Sequence, residues 1–370
     1  MASLPRSVLK EKDLADYLVE TVRQSRDYDR NTILNLYVLL TQSFLTVFSG
    51  PPGSGKTSMC EILANSLGLD SFAERREVTS SGFWKNTDES NRFLTVPVER
   101  GWTSKRDFIG YYNPLSKTFE SVDARRREAF AELDAESKIG FADLPFVMLL
   151  DEANLSPMEY YWGDFMRLAD NRTRKGEYVS FGGDATYAVP DTLRFLATIN
   201  NDFTTENLSP RLLDRASIVT LPETDAPFIP EPLRHDREAV SWKALTQYFG
   251  ARNNSTHAGD IEPLLDEIYE SFKTLGIVVS MRTRLAVGDY VSAASVVFED
   301  SAEQPAYAAA VDFAVAQRLM PRIDGNGEQY RGLLEDLQSI FEGNGLTRSS
   351  KLLRSLIDRG ESSMGWYRFF

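Results

Sequence analysis

A single cysteine, Cys60, stands among the 370 residues. It can form no internal disulfide, and inside a predicted helix it reads as a small core residue. Long apolar runs are missing too. No stretch approaches the roughly eighteen apolar residues of a membrane span, and the opening Met1–Arg6 is not followed by an apolar signal core. These absences lead to the expectation of a cytoplasmic chain with no membrane contact. Positive charge is in deficit: 41 Lys and Arg against 54 Asp and Glu leave a net charge of −13, and the surplus is not confined to one tail. That counts against the whole molecule being a non-specific nucleic-acid binder, because phosphate contacts need clustered cations. A basic patch in a ring pore stays open, since net charge says nothing of local arrangement. Internal repeats and low-complexity tracts are absent as well. With 42% hydrophobic residues the chain can bury a sizeable core and hold two domains.

What the chain does contain is centred on Leu45–Ser58. An apolar run ends in Gly50-Pro51-Pro52-Gly53-Ser54-Gly55-Lys56-Thr57-Ser58, which then opens a helix. Gly50 through Thr57 satisfies G-x-x-x-x-G-K-[ST], the phosphate-binding loop. Glycines let backbone N–H groups turn inward toward phosphate oxygens, and the helix start adds its positive end. Lys56 is placed to reach the β- and γ-phosphates, and the Thr57 hydroxyl to ligate Mg²⁺.

Downstream, Phe146-Val147-Met148-Leu149-Leu150 reads as a strand buried on both faces. It ends in Asp151-Glu152, at the strand edge where open α/β sheets bind ligands. Asp151 is placed to hold Mg²⁺ with Thr57, and Glu152 to polarise an attacking water. A second buried strand, Leu193–Ile199, ends at Asn200, whose side chain can bond that water or the γ-phosphate. Arg211 and Arg215 follow, four apart and so on one helical face. Asn31 is the expected cap of a helix that leads into the first strand. A helix is expected over Glu159–Ala169, and a hairpin across Gly182-Gly183-Asp184. The run Arg125-Arg126-Arg127 begins a helix and reads as a solvated face rather than a nucleic-acid contact. Prolines 222, 227, 230 and 232 mark a linker. Six helices are expected beyond it, at roughly 238–250, 260–275, 282–298, 305–320, 328–342 and 349–359. The expected organisation is an arm at 1–30, a nucleotide-binding α/β domain at 31–222, a linker at 223–238 and a helical lid with its extension at 239–370.

In that order the set resembles an AAA+ ATPase over about residues 30–300. The resemblance implies a P-loop three-layer αβα core with a parallel sheet, followed by an α-helical lid. Finer wording is similar to McrB-like ATPases, the motor subunits of modified-cytosine restriction and antiphage systems. The residues that carry it are Arg100-Gly101-Trp102-Thr103 with Asp107–Pro114, the extended acidic segment Asp151–Trp162, the arginine segment Leu208–Ala216, and the closing stretch from Lys351 to Trp366. The resemblance implies Asn200 as first sensor and Arg215 as the finger reaching a neighbour's γ-phosphate, with Arg211 as second candidate. It implies Arg282 as the lid sensor, a homo-oligomeric ring (a hexamer) and a McrC-like nuclease partner, with DNA met through the complex.

Two departures stand out. The family's founding member uses GTP and has Asn-Thr-Ala-Asp after the sensor strand; here Asn200-Asn201-Asp202-Phe203 stands. ATP with Mg²⁺ is therefore the expected substrate pair, with GTP open. No DNA-reading domain is expected before residue 30, and no nuclease constellation is visible. A MoxR-like protein-remodelling ATPase shares the core and is the alternative; a nucleotide-gated scaffold without turnover is weakened by Glu152.

Overall fold

The computed structural model describes residues 11–71, 76–78, 84–86, 91–139, 143–170, 177–180, 186–200, 206–221, 239–251, 258–302 and 304–370. In chain order, α1 (Glu11–Arg23) buries a stripe of Leu14, Leu18, Val19 and Val22. Helix α2 (Arg30–Gln42) is capped by Asp29, not by the expected Asn31. The chain is already extended at Asp29, and its carboxylate accepts from both the Thr32 N–H and the Thr32 hydroxyl. Asn31 lies inside the first turn and bonds the Glu299 backbone with both ends of its amide.

Strand β1 (Leu45–Gly50) runs into α3 (Lys56–Ser66). A short pair, β2 (Arg76–Val78) and β3 (Trp84–Asn86), precedes β4 (Phe93–Pro97). Next come α4 (Lys105–Phe108), the hairpin β5 (Gly110–Asn113) and β6 (Thr118–Ser121), α5 (Ala124–Ile139) and β7 (Phe146–Asp151). Two short helices follow, α6 (Met158–Tyr161) and α7 (Gly163–Leu168). The single helix expected there breaks at Trp162, which leaves helical geometry (ψ 7°) and packs fully buried against Phe44, Phe165 and Phe195. The expected hairpin forms as β8 (Tyr178–Ser180) and β9 (Thr186–Ala188); its glycine turn lies outside the described residues. Then come β10 (Leu193–Asn200), α8 (Pro210–Leu213) and β11 (Ala216–Thr220). The proline-rich linker also lies outside the described residues. Beyond it are α9 (Trp242–Phe249), α10 (Ala258–Thr274), α11 (Met281–Val297), α12 (Ala306–Arg318), the strand β12 (Asp324–Asn326), α13 (Glu328–Gly343), α14 (Thr347–Ser362) and β13 (Trp366–Arg368). Strands β12 and β13 pair with each other.

The main sheet has the order β11-β1-β10-β7-β4, and every neighbouring pair is parallel. Strands β1 and β7 are buried along almost their whole length, which matches mainly apolar strands covered by helices on both faces. The register places Gly50 opposite Asn200, and Pro97 opposite Asp151. All the strand ends picked out in the sequence therefore meet at one carboxyl edge. This is a P-loop AAA+ α/β fold with a helical lid.

Helices of the second part pack back on the first, α11 on α2 and α12 on β11. Helix α14 has no side-chain cap of its own; Asp312 of α12, itself buried, accepts the Arg348 and Ser349 N–H groups at 2.8 Å each. The aromatic stretch around Trp102 is core rather than surface: Phe108 and Ile109 are fully buried and Trp102 nearly so. The arginine run is likewise only partly solvated. Arg126 is buried, stacks over Trp102 and donates to the Phe108 carbonyl at 2.8 Å, which removes the middle cation from any nucleic-acid face.

Candidate functional site

Strand β1 delivers the chain to the sheet edge, and two residues with positive φ, Gly53 (80°) and Gly55 (79°), turn it into α3. A Cβ at Gly50 would stand 3.0 Å from the Ser54 hydroxyl, a close approach that the serine would have to ease. Lys56 is buried at the first turn. Its Nζ donates to the Gly50 and Pro51 carbonyls at 3.0 and 2.7 Å, which holds the ammonium across the loop. Burial pushes its pKa down, while Asp151 and Glu152 push it back up.

Thr57 meets Asp151 as expected: Thr57 Oγ1 donates to Asp151 Oδ1 at 2.8 Å. A hydroxyl and a carboxylate oxygen side by side form the hard, partial ligand set that suits Mg²⁺ shared with phosphates. Two residues that the sequence reading passed over complete this edge. Thr198, two positions before the end of β10, donates to the same Asp151 oxygen at 2.7 Å and accepts the Glu152 N–H at 2.8 Å. Asn154 is 4% exposed and clamps the end of β10, with its Nδ2 donating to the Asn200 carbonyl at 2.9 Å and its Oδ1 accepting the Asn200 N–H at 3.2 Å. A hydroxyl residue near the end of a mainly apolar strand was the available signal for Thr198. Asn154 carried none beyond its closeness to Asp151.

Glu152 has φ 53°, a left-handed conformation that costs a side-chain-bearing residue about 1–2 kcal/mol. Such strain is held where the surroundings dictate it; here the Thr198 bond to the Glu152 N–H does so. The Glu152 carboxylate is exposed, and the Asn200 amide approaches it at 3.5 Å.

The three arginines gather elsewhere. Helix α8 ends at Leu213, so Arg215 lies past it, yet Arg215 Nη1 still reaches back to the Arg211 carbonyl at 2.9 Å. Arg215 and Arg282 share one carboxylate oxygen of Asp170, at 2.8 and 2.9 Å. Arg282 also pairs with Asp214, which accepts from Ser280, Thr283 and Arg322 as well. Arg211 is exposed. The structure thus unites Arg215 with Arg282, and directs both toward Asp170 rather than the phosphate loop.

A cavity of about 380 Å³ opens between α2, β11, α12 and α14, and its lining includes Asp29, Asn35, Gln317, Arg348 and Lys351. The parallel register sets Thr220 of β11 beside Ser49, so the cavity borders the strand edge that bears the loop. Gln317 Nε2 donates to Asn35 Oδ1 at 2.8 Å, which fixes the amide, and its buried Oε1 has no hydrogen-bond partner. A larger hollow of about 620 Å³ lies between α8, the α10–α11 turn and β12–β13, and no residue of the phosphate loop lines it. Among the described residues no cluster of three metal-ligating side chains occurs, and no helix is long and apolar enough to cross a membrane.

Residues 46–157 match the ATPase family associated with various cellular activities (AAA), a span that holds the phosphate loop, Asp151 and Glu152. Residues 235–365, the helical part, match a domain of unknown function, DUF8727. Among solved structures, the chain is similar to a candidate ATPase from Cytophaga hutchinsonii, at 15% identity over 77% of this chain and 80% of that one, with a TM-score of 0.45. No curated protein matches the chain. The phosphate loop, the sheet order and the match over residues 46–157 agree on a P-loop AAA+ α/β fold.

Proposed function

We propose that the chain is a ring-forming AAA+ motor that hydrolyses ATP and drives or licenses a partner nuclease in a restriction or antiphage system. The observation that carries hydrolysis is the single carboxyl edge on which Lys56, the Thr57–Asp151 pair, Glu152 and Asn200 converge. In this reading the loop residues Gly50 to Ser58 cradle the phosphates, and Thr57 and Asp151 would hold Mg²⁺, which would supply neutralisation of phosphate charge. Glu152 orients and polarises the attacking water, and Asn200 positions that water against the γ-phosphate. Arg215, or Arg211 in its place, completes the site of a neighbouring subunit in a hexamer, and Arg282 senses nucleotide from the lid. The domains divide at 30, 222 and 238. The cavity beside Asn35 and Gln317 takes the base.

Support for the McrB-like reading comes from two segments of similar wording that fold against each other. The Trp102 N–H donates to Ser156 Oγ at 3.1 Å, Ser156 donates to the Glu99 carbonyl at 2.9 Å, and Trp102 meets Tyr161 edge-on at 5.1 Å. The deciding experiment is a pair of variants. Glu152→Gln should abolish turnover and keep nucleotide bound, and Lys56→Ala should weaken nucleotide binding. Hydrolysis by Glu152→Gln at the wild-type rate would remove the assignment of that strand end.

A further inference from the structure

Arg26, in the stretch between α1 and α2, lies against the first turn of α3. Arg26 is only 5% exposed although it belongs to the arm and stands outside the phosphate loop. Its Nη2 donates to Ser58 Oγ at 2.6 Å, and its Nη1 to the Ser25 carbonyl at 2.9 Å. The same Nη2 comes within 2.9 Å of the point where a Gly55 Cβ would stand. Ser58 in turn donates to the Gly55 carbonyl at 2.9 Å. A planar guanidinium, the side chain best matched to phosphate oxygens, is therefore held against both ends of the turn that opens α3. At such a turn the free N–H groups point outward to an anion. Lys56 serves the far phosphates, β and γ, whereas Gly55 and Ser58 flank the helix start, where the phosphate nearest the nucleoside is cradled.

We infer that Arg26 is a further nucleotide-binding residue, which bonds the α-phosphate of the nucleoside di- or triphosphate held by the loop. The site is then built from the arm as well as the loop, and nucleotide fastens α1 and α2 to α3. This rests on the loop being the nucleotide site.

The test uses the full chain with Mg²⁺ and isothermal titration of ADP and of its two α-thio diastereomers. Loss of one charge-assisted hydrogen bond corresponds to a weakening of ADP binding by about tenfold in Arg26→Ala. Arg26→Lys should recover part of it. The preference of the wild type for one diastereomer should collapse in Arg26→Ala, because the group that distinguishes the two α-oxygens has gone. ADP affinity unchanged in both variants would overturn the inference. So would weakened affinity with the diastereomer preference intact, which would make Arg26 only a support for the loop. Failure of the wild type to bind ADP at all would overturn the nucleotide site itself, and is thereby told apart from failure of Arg26 alone.

Discussion

Asp214 sits between Arg211 and Arg215 and joins the nucleotide-binding part to the helical part. Its carboxylate accepts from Ser280 and Thr283 at 2.7 Å each, from Arg282 at 2.5 Å and from Arg322 at 3.2 Å. Replacing it by Asn keeps the shape, removes the charge and sets an amide N–H₂ against donors. Its side chain is 15% exposed and that of Arg322 11%, so both are largely out of water. Breaking such a pair from one side costs about 3–5 kcal/mol. Arg282 is 39% exposed and keeps Asp170 as a partner, which places Asp214→Asn at the lower end, about 3 kcal/mol. Burial alone would raise the Asp214 pKa; the four donors outweigh it and hold the carboxyl far below the usual carboxylate range. A folded pKa depressed in this way contributes stability above the unfolded value, about 3.9, and loses it as pH falls below that value toward the folded one. Urea unfolding followed by far-ultraviolet circular dichroism at pH 7, 5 and 3.5 should show the full gap between wild type and variant at the two higher values. The gap should narrow at the lowest. A gap that is absent at pH 7, or equal at all three, would refute the argument that this carboxylate ties lid to core.

Two further outcomes follow from the proposed assembly. If Arg215 acts across a subunit boundary, Arg215→Ala should be inactive alone yet bind nucleotide, and mixing it with Lys56→Ala chains should restore some hydrolysis; no recovery in rings shown to be mixed would confine the arginine to its own chain. With a net charge of −13, the isolated nucleotide-loaded protein should bind DNA weakly, with affinity falling by orders of magnitude between about 50 and 200 mM salt, and tight binding that separates modified from unmodified duplexes near physiological salt would place a specificity site within these residues.

The fold was legible because its signals are periodic and local. Strands β1, β7 and β10 stand out as mainly apolar runs that end at the phosphate loop, Asp151 and Asn200, and a strand buried on both faces has little freedom to read otherwise. The pairing of Thr57 with Asp151, 94 positions apart, followed from the loop pattern and one strand end, since a parallel sheet brings all its carboxyl edges together. The helical part was legible as punctuation, with glycine, asparagine and proline falling in the gaps. Cys60 behaves as the bland reading had it, fully buried in α3.

What escaped the sequence was set by partners far along the chain. Nothing near Arg126 says that it will lie over Trp102, because a run of three arginines at a helix start has the composition of a solvated face. Asn31 and Asp29 are both good caps, and the choice fell to the residue whose carboxylate could take two donors of Thr32 while the other found Glu299, 268 positions away. Asn154 and Thr198 follow the same logic. Each is a small polar residue whose value lies in holding the backbone at the end of β10 or the carboxylate at the end of β7, and neither contact is encoded within its own segment. The arginines show the limit most plainly. A spacing of four placed Arg211 and Arg215 on one helical face, but the helix stops at Leu213, and the direction of Arg215 is set by Asp170, which it shares with Arg282 of the lid. The residue types at the candidate site are thus a property of local sequence, whereas the aim of each side chain belongs to the tertiary network around it.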